Sequence, residues 1–148
     1  MKNTLLTLAI VLGFSAVVGA QVTPGTDGRY YGVAPVRIIT NQTIAAGQTI
    51  PVFTPSQNSL RVKSLTRPAG ANGVILQITI ANPTANGHVI VWSPEVGERP
   101  NISVLNYETG HTISGMTIVF IKTENNTVNL WSLSGAQLYV DLLGYFVQ

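Results

Sequence analysis

Residues 87–111 read GHVIVWSPEVGERPNISVLNYETGH. Two apolar runs, residues 88–93 and 102–107, flank a connection rich in Pro, Gly and Glu, and turn residues bracket the pair at Asn86-Gly87 and Glu108-Thr109-Gly110. This punctuation predicts a strand, a long loop and a second strand.

The same pattern repeats in both directions from that unit. On its N-terminal side, residues 74–81 alternate, with Val74, Leu76, Ile78 and Ile80 on one face and Gln77 and Thr79 opposite. That is a half-buried strand. Residues 82–87, NPTANG, end in Asn-Gly, a favoured tight-turn pair, and predict a hairpin between this strand and residues 88–93. Further strands are expected at residues 33–40, where Pro35 points to an edge, at 48–53 and at 60–65. Towards the C-terminus come residues 112–122, in which Gly115 predicts a bulge or a close backbone approach, then 127–133 and 137–147. No segment carries a 3.6-residue period. About nine strands at short intervals predict an all-β chain folded as a single antiparallel β-sandwich, jelly-roll or immunoglobulin-like.

The N-terminus reads differently. Lys2 precedes an apolar run over residues 5–18 that ends in Val18-Gly19-Ala20, small where a signal peptidase reads. Residues 1–20 are therefore expected to be a cleaved secretory signal. The run is shorter than the roughly 20 residues that span a bilayer, and no second run is longer, so no membrane span is expected after cleavage. Residues 21–32, QVTPGTDGRYYG, are expected to be a flexible arm whose Tyr30 and Tyr31 pack on the domain or on a neighbouring subunit. The sandwich then occupies residues 33–148.

Composition narrows the function. The 148 residues carry a formal net charge of +2, and Lys2 leaves with the signal. The single basic concentration, Arg61, Lys63 and Arg67, alternates with apolar residues as a strand's solvent face does. A nucleic-acid partner is not expected, because it asks for a clustered basic face. The chain has no cysteine, so an exported fold must rest on its core rather than on disulfides.

Over residues 35–146, the order of motifs resembles a widespread secreted bacterial β-sandwich module of surface and cell-wall proteins. The resemblance is carried by Asn82-Pro83-Thr84 with Gly87, Val91-Trp92 with Pro94, Gly97 and Arg99-Pro100, Ser103, Leu105-Asn106-Tyr107, Gly110, Thr112, and Val140-Asp141 with Gly144-Tyr145-Phe146. That module usually opens on Pro-Cys-Arg and then Asp-Thr-Arg. Here residues 35–41 read PVRIITN, keeping Arg37 and lacking both the cysteine and the acid. The resemblance implies fold and export, and it supplies no reaction.

Candidate sites follow from residue types. Asp141 sits between Val140 and Leu142, where a carboxylate is costly to bury unpaired, so Arg37 or Arg99 is expected to neutralise it. His88 and His111 lack a third converging ligand, and neither a metal nor a cofactor is expected. Glu95, Glu98 and Glu108 fall in turns, and no serine sits in a Gly-x-Ser-x-Gly elbow, so no enzyme is expected. Trp92, out of phase with Val89 and Val91, joins Tyr107 and Asn106 as the candidate binding surface, and the competing and favoured expectation is that such large aromatics complete the sandwich core or cover its rim. The expected function is a non-catalytic structural or adhesive domain of the bacterial cell exterior that assembles with itself. A carbohydrate- or cell-wall-binding module using those aromatics is the alternative, with cell-wall polysaccharide as partner.

Overall fold

The most regular alternation in the sequence lies at the centre of one sheet. In a computed structural model describing residues 28–54, 67–121 and 126–147, strand β3 (Ala71–Ala81) buries Val74, Leu76, Ile78 and Ile80 almost completely on one face. Antiparallel β8 (Ala136–Val147) adds Leu138, Val140 and Leu142 to that face. With β1 (Arg29–Ile44) and β6 (Ile113–Phe120) they form a four-stranded sheet ordered β1-β8-β3-β6.

The second four-stranded sheet contains β2 (Thr49–Phe53), β7 (Thr127–Ser132), β4 (Gly87–Trp92) and β5 (Leu105–Tyr107), in the order β2-β7-β4-β5. Its Ile50, Val52, Val89, Val91, Val128 and Leu130 join the inner residues of the first sheet in one core cluster. Burial of this apolar surface, at roughly 25 cal/mol per Å², drives the fold without help from disulfides. The molecule is an antiparallel β-sandwich. No helix among the described residues is long and apolar enough to cross a membrane.

Two local expectations need revision, and a third narrows to one of its alternatives. Residues 82–87 do not close a hairpin, because β3 and β4 belong to different sheets. Both edges of β3 are already occupied, by β8 and β6, so the chain has no free edge to return to. It crosses between layers instead: Asn82 takes a positive φ of 48°, Thr84 N donates to Gly135 O at 2.8 Å, and Asn86 Oδ1 accepts from Thr109 N at 2.8 Å.

Second, residues 29–32, expected in the arm, already belong to β1, where Arg29, Tyr30 and Gly32 pair with Val147, Phe146 and Gly144. Third, Gly115 is not a bulge, since β6 keeps unbroken register with β3. It marks a close approach, for a Cβ there would stand 3.0 Å from Leu105 Cδ1 of the facing sheet. The expected leader, the arm up to residue 27 and the expected strand at 60–65 lie outside the described residues.

Candidate functional site

The loop-linked pair β4 and β5 places Tyr107 directly opposite Gly87. Its ring turns inward and is 4% exposed. Tyr107 Oη lies 2.8 Å from Ser132 Oγ and accepts from Ser134 N at 3.0 Å. Ser132 Oγ donates to Ser134 O at 2.8 Å, so its only proton is used and Tyr107 must donate to it. Ser134 Oγ donates to Ala85 O at 2.9 Å. Tyr107 thus ties β5 to β7 and to the crossover, and offers no ring face to a ligand. Asn106, next to it, is exposed opposite His88.

Trp92 does lie on the face away from Val89 and Val91, as its phase predicts. There it forms a separate cluster with Ile90 and Trp131 on the outer side of the second sheet. Yet both indoles are 7% exposed, which removes Trp92 from the accessible surface. Trp92 Nε1 is buried without a hydrogen-bond partner among the described residues. The Arg99 guanidinium stands 3.9 Å from the Trp131 ring centroid, and the His88 ring lies 5.4 Å from it.

Arg99 therefore does not reach Asp141, which belongs to the other sheet. Arg37 does. Its Nε donates to Asp141 Oδ1 at 2.8 Å and its Nη2 to Oδ2 at 3.0 Å, a two-pronged pairing across β1 and β8. The hydrogen bond to Asp141 holds the Arg37 guanidinium above the ordinary arginine pKa. The side chains are 49% and 16% exposed, so this pair sits on the outer face in contact with water and not in the core.

The histidines do not converge. His111 Nδ1 lies 3.7 Å from Glu108 Oε2, with both side chains largely exposed, while the His88 ring packs at a tilt against Trp131. No group of three or more His, Cys, Asp or Glu able to hold a metal occurs among the described residues. A shallow cleft of about 350 Å³ is lined by Asn106, Tyr107, Glu108, His111, Thr112 and Ile113. Glu95 and Glu98 are exposed beyond Trp92, Glu95 within a 3₁₀ turn at Pro94–Val96.

Arg67, expected on a solvent face, is 1% exposed. Its Nε and Nη2 donate to Ala71 O, and its Nη1 donates to Asn126 Oδ1 at 3.1 Å. Burial lowers its pKa. Burial also pushes the nearby Tyr145 phenol up to about 12, partly offset by the Arg67 charge. The Tyr145 hydroxyl is buried without a hydrogen-bond partner among the described residues.

What the sequence reading missed is the outer face of the first sheet. The ladder aligns Tyr30, Phe146, Gly73 and Phe120 in one row across all four strands. The next row ends on Ile118, and Met116 follows. Phe120 is 68%, Met116 65%, Tyr30 62% and Ile118 46% exposed. Glycine at 73 keeps the row low, since a Cβ there would meet Phe146 Cβ at 3.2 Å. The signal in the sequence was ambiguous because both phases of ISGMTIVF carry apolar residues. Against known proteins, no family model matches the chain and no curated relative does.

Proposed function

We propose that this chain is an exported, non-catalytic structural or adhesive domain of the bacterial cell exterior that associates with itself. The exposed apolar rows on the outer face of the first sheet carry this reading. Contiguous apolar surface of this kind, left open to water, marks an interaction site in a soluble protein. The leader-like residues 1–20 and the resemblance to secreted surface modules support export. Of the expected assembly residues, Tyr30 and Tyr31 lie within β1, so their rings act as part of the sheet surface and not as a free arm.

The second reading, a polysaccharide-binding module, retains Asn106 and the cleft beside it, and loses the buried rings of Trp92 and Tyr107. Sedimentation of the purified chain together with pull-down on insoluble cell-wall polysaccharide separates the two. Multimers without retention, and recovery from the medium with Gln21 at the N-terminus, are the expected results. A monomer retained on the polysaccharide favours the second reading, and a monomer that is not retained rejects both.

A further inference from the structure

We propose that the cleft between β5 and the start of β6 is a glycan-end site, which takes the terminal residue of a neutral sugar chain through the side chains of Asn106, Glu108, His111 and Thr112. The inference rests on the adhesive half of the function proposed above and gives it a ligand.

The site is built entirely from described residues. It lies at the end of the sandwich where Gly87 pairs with Tyr107, Ile80 with Ile113 and Ala81 with Gln137. Every point at which the chain passes out of the described residues lies at the opposite end, where Arg29 and Ala71 pair with Val147, Gly73 with Phe120 and Phe53 with Thr127.

Its wall is pinned. The turn from Glu108 to His111 reverses on Gly110, at a φ of 73°, and closes through His111 N donating to Glu108 O at 3.1 Å. Gly110 N donates to Pro83 O at 2.9 Å, and Asn86 Oδ1 accepts from Thr109 N at 2.8 Å and from Thr109 Oγ1 at 3.0 Å. These bonds to the crossover fix a turn that its own hydrogen bond already closes. The backbone beneath the cleft is therefore ordered before a ligand arrives, which lowers the cost of binding.

The polar groups around the cleft are unspent. Asn106, Glu108, His111 and Thr112 are all exposed, and none of the four side chains makes a hydrogen bond among the described residues. Their chemistry selects the ligand. A carboxylate accepts from two adjacent hydroxyls at once, an amide both donates and accepts, and an imidazole and a hydroxyl add one further donor and acceptor each. A carboxylate beside an imidazole favours neither an anion nor a cation, whereas a neutral ring with adjacent hydroxyls meets every group. Ile113, 37% exposed, offers apolar contact to the C–H face of that ring. The volume of about 350 Å³ is at the small end of ligand sites, which begin at roughly 300 Å³. With the Tyr107 ring buried, the lining offers no open phenol or indole on which a second sugar could stack. Recognition is thus of one end residue and not of an extended polymer.

Titration of the purified chain with methyl glycosides of neutral hexoses and N-acetylhexosamines, followed by amide chemical shifts, tests this. At least one glycoside is expected to bind saturably and to move the resonances of residues 106–113. Glu108→Gln is expected to weaken it about tenfold, the worth of a charge-assisted hydrogen bond, and Asn106→Ala about fivefold. Both side chains are exposed, so both variants are expected to unfold at the parent's temperature. No saturable shift with any glycoside overturns the site, and self-association, read by sedimentation, is untouched by that result. Binding that both variants retain in full also overturns the site, although the adhesive reading then stands.

Discussion

The Tyr107 ring occupies the space that a side chain at Gly87 would need, with a Cβ there only 2.6 Å from the Tyr107 hydroxyl oxygen and 2.8 Å from Cζ. The two residues are opposite one another in the β4–β5 ladder. The aromatic lies over the glycine, and its hydroxyl thereby reaches Ser132 and Ser134. Gly87→Ala is expected to push the ring aside and lower stability by about 1–3 kcal/mol. Chemical denaturation measures it.

Tyr107→Phe keeps the ring and strands its partners. Ser134 N and Ser132 Oγ each lose a buried partner, for an expected cost of about 1–3 kcal/mol. The double variant with Gly87→Ala is expected to cost less than the two losses added, because the displaced ring has already surrendered the network. Additive losses would show that the two residues act independently.

Tyr145→Phe is expected to behave in the opposite way. The hydroxyl it removes is buried without a partner among the described residues, so stability at neutral pH is expected to hold or rise by about 1 kcal/mol. The phenol's pKa is raised in the folded state from 10.0 to about 12, so the protein's advantage is complete below pH 10 and lost as pH climbs to about 12. That alkaline fall amounts to at most about 2–3 kcal/mol. Urea denaturation from pH 9 upward is expected to show it weakened in Tyr145→Phe, and an identical alkaline limb in both proteins would refute the assignment.

Asp141→Asn removes the Arg37 pairing from a face that water already reaches. A small destabilisation is expected, reduced further by salt, since exposed pairs are screened. Thermal unfolding at low and high ionic strength distinguishes this from a buried charge, whose loss would be large and insensitive to salt.

Arg99→Ala uncovers Trp131. A loss of about 1 kcal/mol is expected, the scale of a partly solvated cation–π contact. The tryptophan emission is expected to shift to the red as water gains access to the ring. Emission unchanged from the parent would mean that the connection covers Trp131 without the guanidinium.

The sequence by itself determined that this chain is β, where most of its strands lie, and which face of β3 enters the core, because side chains alternate with a period of two and apolar surface must leave water. It also held the strand, loop and strand of residues 87–111, bracketed by turn residues, but not the pairing of β4 with β5. Which sheet each strand joins was decided only by the tertiary structure. An Asn-Gly turn states a local preference, whereas the occupied edges of β3 sent residues 82–87 across to the other layer. Burial of Arg67 was equally illegible. β4 is buried on both faces, His88 and Arg99 pack on neighbouring Trp131, and Arg67 finds Ala71 and Asn126 only once the strands are stacked. Periodicity tells a residue which side it faces, and the rest of the fold decides whether that side is wet.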